Sequence, residues 1–374
     1  MYCDFVSAAA DDAAMAAYCA ALEKEIRSAG ERYRDAKVST VFLGGGTPSI
    51  VPAPLMKRVL RALRDSFVFV PDAEFTSEAN PGTLAAEWLE TLMDAGLNRL
   101  SLGVQAAQDS LLRRIGRIHT FREAEAGIRL AQRMGIDNIN ADVMYGLPGQ
   151  TQQDYLETLE RLCTLEVTHL SAYSLILEEG TPLHRLVEAG EMTVPDDDAC
   201  ADWTAAGHEW LARHGYHQYE ISNYAKEGFR CRHNIGYWQG AWYLGLGVAA
   251  HSMLPPSEEQ RGQGAVRIRQ ANPEDTGLYI ARSPDLPRET DLIDEDEAMF
   301  ETMVVGLRMN DGVSSRGFES LFGQSLQQRY EMELASLVRD GLGFWRDAPD
   351  GDRFFALTQQ GLMLQNQVLL RLAD

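Results

Sequence analysis

The sequence predicts an α/β protein with a second, smaller and mostly helical domain. In the first two thirds of the chain, short apolar runs alternate with amphipathic stripes at helical spacing. This alternation fades after about Ser252, where a loop-like composition and then helical patterns take over. Because strands that alternate with helices pair in parallel through right-handed crossovers, the first part is predicted to be a wound sheet or a barrel.

The apolar runs define the candidate strands of this sheet. They are "VSTVFLGGG" at Val38–Gly46, "AEFTSEAN" at Ala73–Asn80, "NRLSLGVQ" at Asn98–Gln105, "NINADVMYGLP" at Asn138–Pro148 and "HLSAYSLIL" at His169–Leu177. Helical stripes lie between them; Leu84, Trp88 and Leu92, for example, recur at a helical period.

The remaining third is predicted to hold short strands and then helices. "AVRIRQ" and "LYIARS" are interpreted as a short strand pair, and helical patterns begin near Leu292. The stretch Gly343–Thr358 is predicted to form a small hairpin before a last helix. We therefore divide the chain into a core at 1–253, a linker with the strand pair at 254–290 and a C-terminal domain at 291–374.

Composition excludes several classes of protein. A chain of 374 residues is long enough for two domains, and its formal net charge of -21 argues against a nucleic-acid partner, which requires a basic surface. No apolar run has the length needed to span a membrane. The five cysteines include no C-x-x-C pair, so reduced thiols and a cytoplasmic location are expected.

Polar side chains lie at the ends of successive predicted strands. Glu78, Gln105 and Asp142 each sit in or beside an apolar run, and "GGGTPS" follows the first strand at Gly44–Ser49. One such residue alone would be a cap or loop residue. Because parallel α/β folds place functional groups at the carboxyl ends of their strands, several together predict a polar ligand pocket.

The three consecutive glycines do not form a nucleotide-binding motif. A dinucleotide fingerprint requires G-x-G-x-x-G, but Ser49 occupies the last position and Pro48 interrupts the turn. The Gly-Lys-Ser/Thr of a P-loop is also missing, which disfavours a hydride-transferring oxidoreductase.

An ordered set of motifs resembles the radical S-adenosylmethionine (SAM) family. They are "FLGGGTPS", "EANPGTL", "RLSLGVQ…LLRRIGRIHT", "NADVMYGLPGQT", "YEISNYA", "CRHNIGYW", "YLGLGVAAHS" and "MVVGLRMNDGVS". Within that family the chain is most similar to the oxygen-independent coproporphyrinogen III oxidase-like proteins, and among these to haem chaperones of the HemW type. The resemblance implies a partial (β/α)6-type barrel and a small, mostly helical C-terminal domain.

The first residues match only the tail of the family's cluster motif, C-x-x-x-C-x-Y-C-D-F. By this resemblance Cys3 is the third cluster ligand and Tyr2 packs beside the cluster. The sequence as written is therefore expected to lack the first barrel strand and to be defective in cluster binding. A mis-assigned or shortened start is favoured over a genuine loss.

The resemblance implies a [4Fe–4S] cluster with an open iron that binds SAM, together with an electron donor that reduces the cluster. Gly45, Gly46 and Thr47 would hold the methionine part of SAM. The remaining contacts to this cofactor would come from Glu78, Gln105, Arg117 and Asp142.

For haem, the candidate iron ligands are Cys231, His233 and His251. A haem chaperone would deliver haem to an acceptor protein, either at a membrane or in respiration. Porphyrinogen decarboxylases have a further cysteine where this chain has Phe5, which disfavours that alternative. The alternative of a haem-binding protein without a cluster stays open, as does the question of whether the chain is an enzyme.

Overall fold

The computed structural model describes residues 11–373. Its strands are β1 (Lys37–Leu43), β2 (Val68–Ala79), β3 (Arg99–Gln105), β4 (Asn138–Tyr145), β5 (His169–Ser174), β6 (His217–Gln218), β7 (Asn223–Ala225), β8 (His251–Leu254), β9 (Arg267–Ala271), β10 (Glu289–Ile293), β11 (Val313–Ser314), β12 (Gly343–Asp347) and β13 (Arg353–Leu357). The five strands predicted for the sheet are confirmed as β1–β5.

The first helices alternate with the strands of the sheet. They are α1 (Asp12–Arg32), α2 (Ala53–Ser66), α3 (Ala86–Asp94), α4 (Asp109–Arg114), α5 (Phe121–Arg133), α6 (Gln152–Thr164), α7 (Pro182–Glu188) and α8 (Asp197–Arg213). The others are α9 (Arg232–Trp238), α10 (Glu258–Gly262), α11 (Thr276–Arg282), α12 (Glu295–Gly306), α13 (Ser315–Phe322), α14 (Leu326–Arg339), α15 (Gln359–Met363) and α16 (Gln365–Leu372).

A seven-stranded sheet in the order β1-β2-β3-β4-β5-β7-β6 is the centre of the first part. Strands β1 to β5 pair in parallel, whereas β7 runs antiparallel to β5 and to β6. The sheet curls into a half-barrel, which confirms the predicted α/β class and partial barrel. The expected loss of a first strand concerns residues before Asp11 and lies outside the described residues.

Helix caps and apolar faces explain why the crossover helices form where they do. Thr120 opens α5 and Thr151 opens α6 with a reciprocal capping box, which satisfies backbone N–H groups at each N-terminus. Ile128 of α5 and Leu159 of α6 are fully buried in one apolar core with the outer face of the sheet. This burial holds the helices outside the barrel and leaves its inner face to polar side chains.

The chain divides into two compact units. One extends to Gln218 and includes Ser222–His233 and Glu274–Leu286; the other contains Tyr219–Ile221, Asn234–Pro273 and the residues from Pro287 onward. The domain boundaries predicted from the sequence remain a prediction.

The second unit has two small antiparallel sheets, ordered β10-β9-β8 and β11-β13-β12. The predicted hairpin is confirmed, since β12 pairs with β13 in antiparallel register from Gly343 opposite Leu357. Helices α12 and α14 bury Met303 and Leu334 in its core, as their helical patterns predicted.

The predicted strand "LYIARS" is wrong. Residues Thr276–Arg282 form α11, because the Asp275 side chain accepts the backbone N–H of Leu278 and caps a helix. Tyr279 of this helix is fully buried and donates to Glu25 of α1 at 2.7 Å. The other predicted strand, "AVRIRQ", contains β9, whose partners are β8 and β10.

No helix within residues 11–373 is long and apolar enough to cross a bilayer.

Candidate functional site

The polar residues predicted at the strand ends lie on three neighbouring parallel strands. Glu78 is near the end of β2, Gln105 is the last residue of β3, and Asp142 is in the second half of β4. Because these strands are parallel, their carboxyl ends share one edge of the sheet. The structure therefore brings the three side chains to one end of the half-barrel.

The glycine loop after β1 packs closely on Glu78. A Cβ atom on Gly44 would lie 2.7 Å from the Glu78 Oε2 atom, so only glycine allows the carboxylate to approach the backbone this closely. The backbone N–H of Gly45 donates to the same oxygen at 3.3 Å, and Gly45 has a left-handed φ of 82°. Glycine is thus required at Gly44 by its contact with Glu78 and at Gly45 by the backbone conformation.

Two hydroxyl groups tie this loop to the loop after β2. The Ser49 and Thr83 hydroxyls are 2.6 Å apart, and Ser49 Oγ also accepts the backbone N–H of Asn80 at 3.1 Å. Thr47 precedes the short 3-10 turn Pro48–Ile50 and is half-buried. These contacts hold "GGGTPS" against "NPGT", so the first two strand ends form one rigid wall.

Arg117 reaches the site from the segment that follows α4. A Cβ atom on Gly103 would lie 3.4 Å from Arg117 Nη2 and 3.1 Å from Gln105 Nε2. The absence of a side chain at Gly103 thus lets the guanidinium and the Gln105 amide lie side by side over β3. The structure brings Arg117, whose neighbourhood contains several other arginines, into the predicted group.

Gln105 has a backbone conformation that L-residues rarely adopt, with a φ of 70°. Its side chain is 2% exposed, and its Oε1 atom has no hydrogen-bond partner among the residues that the structure describes. A strained backbone and a buried acceptor at the same residue are typical of a ligand contact.

The two carboxylates of the site affect each other. Burial, and then the neighbouring Asp142 carboxylate, raise the pKa of Glu78 to about 7. Burial also raises the pKa of Asp142, while its hydrogen bond with Asn140 and the charges of Arg99 and Arg117 act in the opposite direction. A ligand group that carries positive charge or donates hydrogen bonds would stabilise the ionised pair.

The sequence analysis missed three residues below this edge: Arg99, Asn140 and His169. Each is at most 2% exposed and lies on the inner face of the half-barrel. Arg99 lowers the pKa of both Glu78 and Asp142 through its charge. The signal in the sequence was a polar residue two positions before a predicted site residue, as in "NAD" at Asn140–Asp142.

Two haem candidates lie close to one buried carboxylate. Glu74 accepts the backbone N–H groups of Arg232 and His233, both at 2.9 Å, and the fully buried Cys231 sulfur lies 3.5 Å from it. The His233 ring stacks on Phe42, with 5.0 Å between ring centroids. In the second unit, His251 begins β8 and is exposed.

The predicted cluster residues cannot be placed. Tyr2 and Cys3 lie outside the described residues. Within residues 11–373, no group of His, Cys, Asp and Glu side chains is arranged to hold a metal ion. Burial raises the pKa of Cys19, of Cys200 and, to about 11, of Cys163, as expected for unreactive thiols.

Comparison with known proteins identifies the family. Residues 2–162 match the radical SAM superfamily and residues 293–364 match the HemN C-terminal domain. The heme chaperone HemW of Bacillus subtilis is 33% identical over 98% of this chain and 94% of its own. The chain belongs to the HemW family of radical SAM proteins. HemW of Lactococcus lactis is 32% identical over 98% of this chain and 92% of its own.

Solved structures show the same fold. Coproporphyrinogen III oxidase (HemN) from Escherichia coli, described as a radical SAM enzyme, superposes with a TM-score of 0.79. The match covers 99% of this chain and 86% of that one, at 22% sequence identity. At that identity the similarity supports the architecture of the HemW-family chain, and its chemistry must be argued from its own residues.

The residues at the strand ends fit the cofactor that the radical SAM family implies. Among residues 11–373, no other atom lies within 4 Å of a Cβ atom placed on Gly45 or Gly46, so the loop borders space that these residues leave open. The unpartnered Gln105 Oε1 atom and the Glu78 and Asp142 carboxylates suit the ammonium and hydroxyl donors of SAM. Arg117 suits its carboxylate.

Proposed function

We propose that this chain is a haem chaperone that binds SAM at the carboxyl edge of its half-barrel, binds haem, and passes the haem to an acceptor protein. The observation that carries the SAM site is the meeting of Glu78, Gln105 and Asp142 beside open space at Gly46. The haem function is supported by the HemW relatives named heme chaperones.

In this proposal the chain's own residues bind and orient the cofactor. Glu78 and Asp142 accept hydrogen bonds from its ammonium and hydroxyl groups, Gln105 accepts through Oε1, and Arg117 pairs with its carboxylate. A bound [4Fe–4S] cluster would supply the electron for radical chemistry, with Cys3 as one of its ligands. The glycine loop gives the methionine part access to the backbone.

Replacing Gly46 with alanine is expected to weaken SAM binding without changing stability. The new methyl group meets no atom of the described residues within 4 Å and the backbone is not left-handed, so folding should be unaffected within roughly 0.5 kcal/mol. The same methyl group would occupy the space assigned to SAM, which we expect to cost about tenfold in affinity. Thermal melts and calorimetric titration with SAM measure the two effects.

Gly262→Ala is the matched control, because among the described residues that position is equally open, and it lies in α10 of the second unit. It should leave SAM affinity unchanged and raise stability by no more than about 1 kcal/mol, since alanine favours a helix more than glycine does. If Gly46→Ala binds SAM like the unmodified chain, the cofactor does not occupy the space beside this loop.

The haem iron is expected to depend on His251 rather than on Cys231. The Cys231 sulfur is fully buried beside Glu74, whereas the His251 side chain is exposed at the start of β8. His251→Ala should therefore shift the Soret band of the haem-loaded chain, and Cys231→Ala should leave it unchanged. His233→Ala tests the third candidate for the haem iron ligand. It removes a half-buried ring whose Nδ1 atom is hydrogen-bonded to the Thr40 hydroxyl at 2.8 Å.

A Soret shift in Cys231→Ala alone would reverse this assignment.

The chaperone function itself is tested by mixing the haem-loaded chain with a haem-free acceptor protein and following the absorption of both. Transfer of haem to the acceptor supports the proposal. Retention of haem together with decarboxylation of coproporphyrinogen would instead establish the oxidase activity.

A further inference from the structure

The side chain of Asn140 uses all of its hydrogen-bonding capacity inside the half-barrel. Its Nδ2 atom donates to Ser101 Oγ at 2.8 Å and to Asp142 Oδ1 at 2.7 Å. Its Oδ1 atom accepts from His169 Nδ1 at 2.6 Å and from Ser171 Oγ at 3.1 Å. An amide has two donor hydrogens and two acceptor lone pairs, so every one of them is satisfied.

These contacts allow a single orientation of the amide. An ionised Asp142 carboxylate can only accept, which requires the Asn140 nitrogen to face it. The amide oxygen then faces His169, whose Nδ1 atom must carry the proton of that hydrogen bond. Turning the amide over would place its oxygen against the carboxylate oxygen, with no hydrogen between them. The network therefore fixes the Asn140 side chain, and a buried network that is fully satisfied is rigid.

The register of the sheet explains why this amide controls Asp142. Asn140 and Asp142 are two residues apart on β4 and so share the inner face. Asn140 lies directly opposite Ser101 on β3 and His169 on β5, while Asp142 lies opposite Ser171 on β5. The partners thus come from the strands on both sides, and the amide cannot shift unless the sheet itself moves.

The arrangement is better suited to positioning than to stability. Asn140 is 2% exposed and His169 is fully buried, and an apolar side chain at either position would avoid the cost of desolvating polar groups. The network ends at the half-buried carboxylate of Asp142, on the sheet edge where the side chains proposed to bind SAM meet. Asp142 is therefore the member of the network that can reach a ligand.

We propose that Asn140 is a positioning residue, which holds the Asp142 carboxylate in the orientation that accepts hydrogen bonds from SAM. This inference rests on the SAM site proposed above. Asn140 does not touch the cofactor in this scheme; it acts by donating to Asp142. Ser101 and His169 act by holding Asn140, and Ser171 contacts both Asn140 and the Asp142 carboxylate.

The test compares SAM affinity and thermal stability in full-length variants of equal iron content. Asn140→Asp replaces the donor with a second carboxyl group and is expected to lower SAM affinity roughly 10- to 100-fold, the range for losing one charge-assisted hydrogen bond. Asn140→Ser, which lacks the reach to Asp142, is expected to give a similar loss and serves if the first variant does not fold. Asn272→Ser is the matched control, because it removes another buried asparagine amide, one that donates to Gly247 and accepts from Arg288 in the second unit. It should lower the melting temperature and leave SAM affinity unchanged.

The exchanged double variant Asn140→Asp with Asp142→Asn separates positioning from packing. It restores an amide facing a carboxylate, so the melting temperature should recover, but the carboxylate now lies at the wrong position and SAM affinity should stay low. Unchanged affinity in Asn140→Asp or in Asn140→Ser overturns the inference, and so does an equal loss in Asn272→Ser. An unmodified chain that fails to bind SAM overturns the proposed SAM site, and the inference with it.

Discussion

Glu78→Gln is expected to lower SAM affinity at least tenfold near pH 8 while making the folded chain more stable. The carboxylate lies against Gly44 and accepts the N–H of Gly45, at the point where the positively charged cofactor would bind. Glutamine keeps the size and the acceptor oxygen but removes the charge, so losing the charge-assisted contact should cost about 1.5–3 kcal/mol of binding free energy.

The gain in stability follows from the pKa of Glu78, which burial raises from 4.5 to about 7. Between these two values the folded chain keeps the proton that the unfolded chain releases. The stability that Glu78 contributes by holding this proton is therefore fully present below pH 4.5 and is lost as pH rises through about 7. Removing the charge should recover about 2–3 kcal/mol near pH 8 and almost nothing near pH 4.

Urea unfolding at the two pH values measures stability, and calorimetry between about pH 6 and pH 8 measures SAM affinity. In the unmodified chain affinity should rise as Glu78 ionises, whereas the glutamine variant should show a flat profile through that range. Glu90→Gln, at an exposed position on α3, is the control and should change neither quantity. A flat profile in the unmodified chain would show that Glu78 does not contact the cofactor.

Sequence reasoning located this site because its residues obey a rule of topology. Glu78, Gln105 and Asp142 each follow an apolar run, and parallel pairing alone brings such strand ends together. Asn140 escaped notice although its spacing from Asp142 on β4 places both on one face, and Arg99 because it begins β3, six residues before Gln105. Their role emerges only from the register between strands, which no local pattern encodes.

The wrong strand prediction has a similar cause, and so does the unexpected burial of Cys231. The segment around Tyr279 has an apolar pattern too short to distinguish strand from helix, and its helix is selected by the Asp275 cap and by burial against α1. Cys231 lies outside the helical stripes, yet its sulfur is fully buried beside Glu74, which is distant in sequence. Tertiary contacts decide both cases, and one sequence alone does not reveal them.

Gly312→Ala is expected to destabilise the second unit by about 2–5 kcal/mol. Gly312 ends the turn before β11 and has a left-handed φ of 76°, which costs an L-residue about 1–2 kcal/mol. A Cβ atom there would also overlap the carbonyl oxygen of Phe355 and lie 2.7 Å from the Cα atom of Ala356. Both obstacles are backbone atoms of β13, so relief requires the sheet β11-β13-β12 to move, at a further cost of about 1–3 kcal/mol.

Gly323→Ala separates these two costs. Gly323 also has a left-handed φ, of 69°, at the C-terminal cap of α13, but within the described part of the chain its Cβ atom would meet nothing within 4 Å. Gly323→Ala should lower the free energy of unfolding only by the conformational cost, about 1–2 kcal/mol. The difference in unfolding free energy between the two variants is therefore the cost of the clash with β13. Urea unfolding of both variants measures that difference. Equal losses would mean that the turn before β11 moves away from β13 without cost. Glycine would then be required at Gly312 by its φ angle alone, and not by its contact with β13.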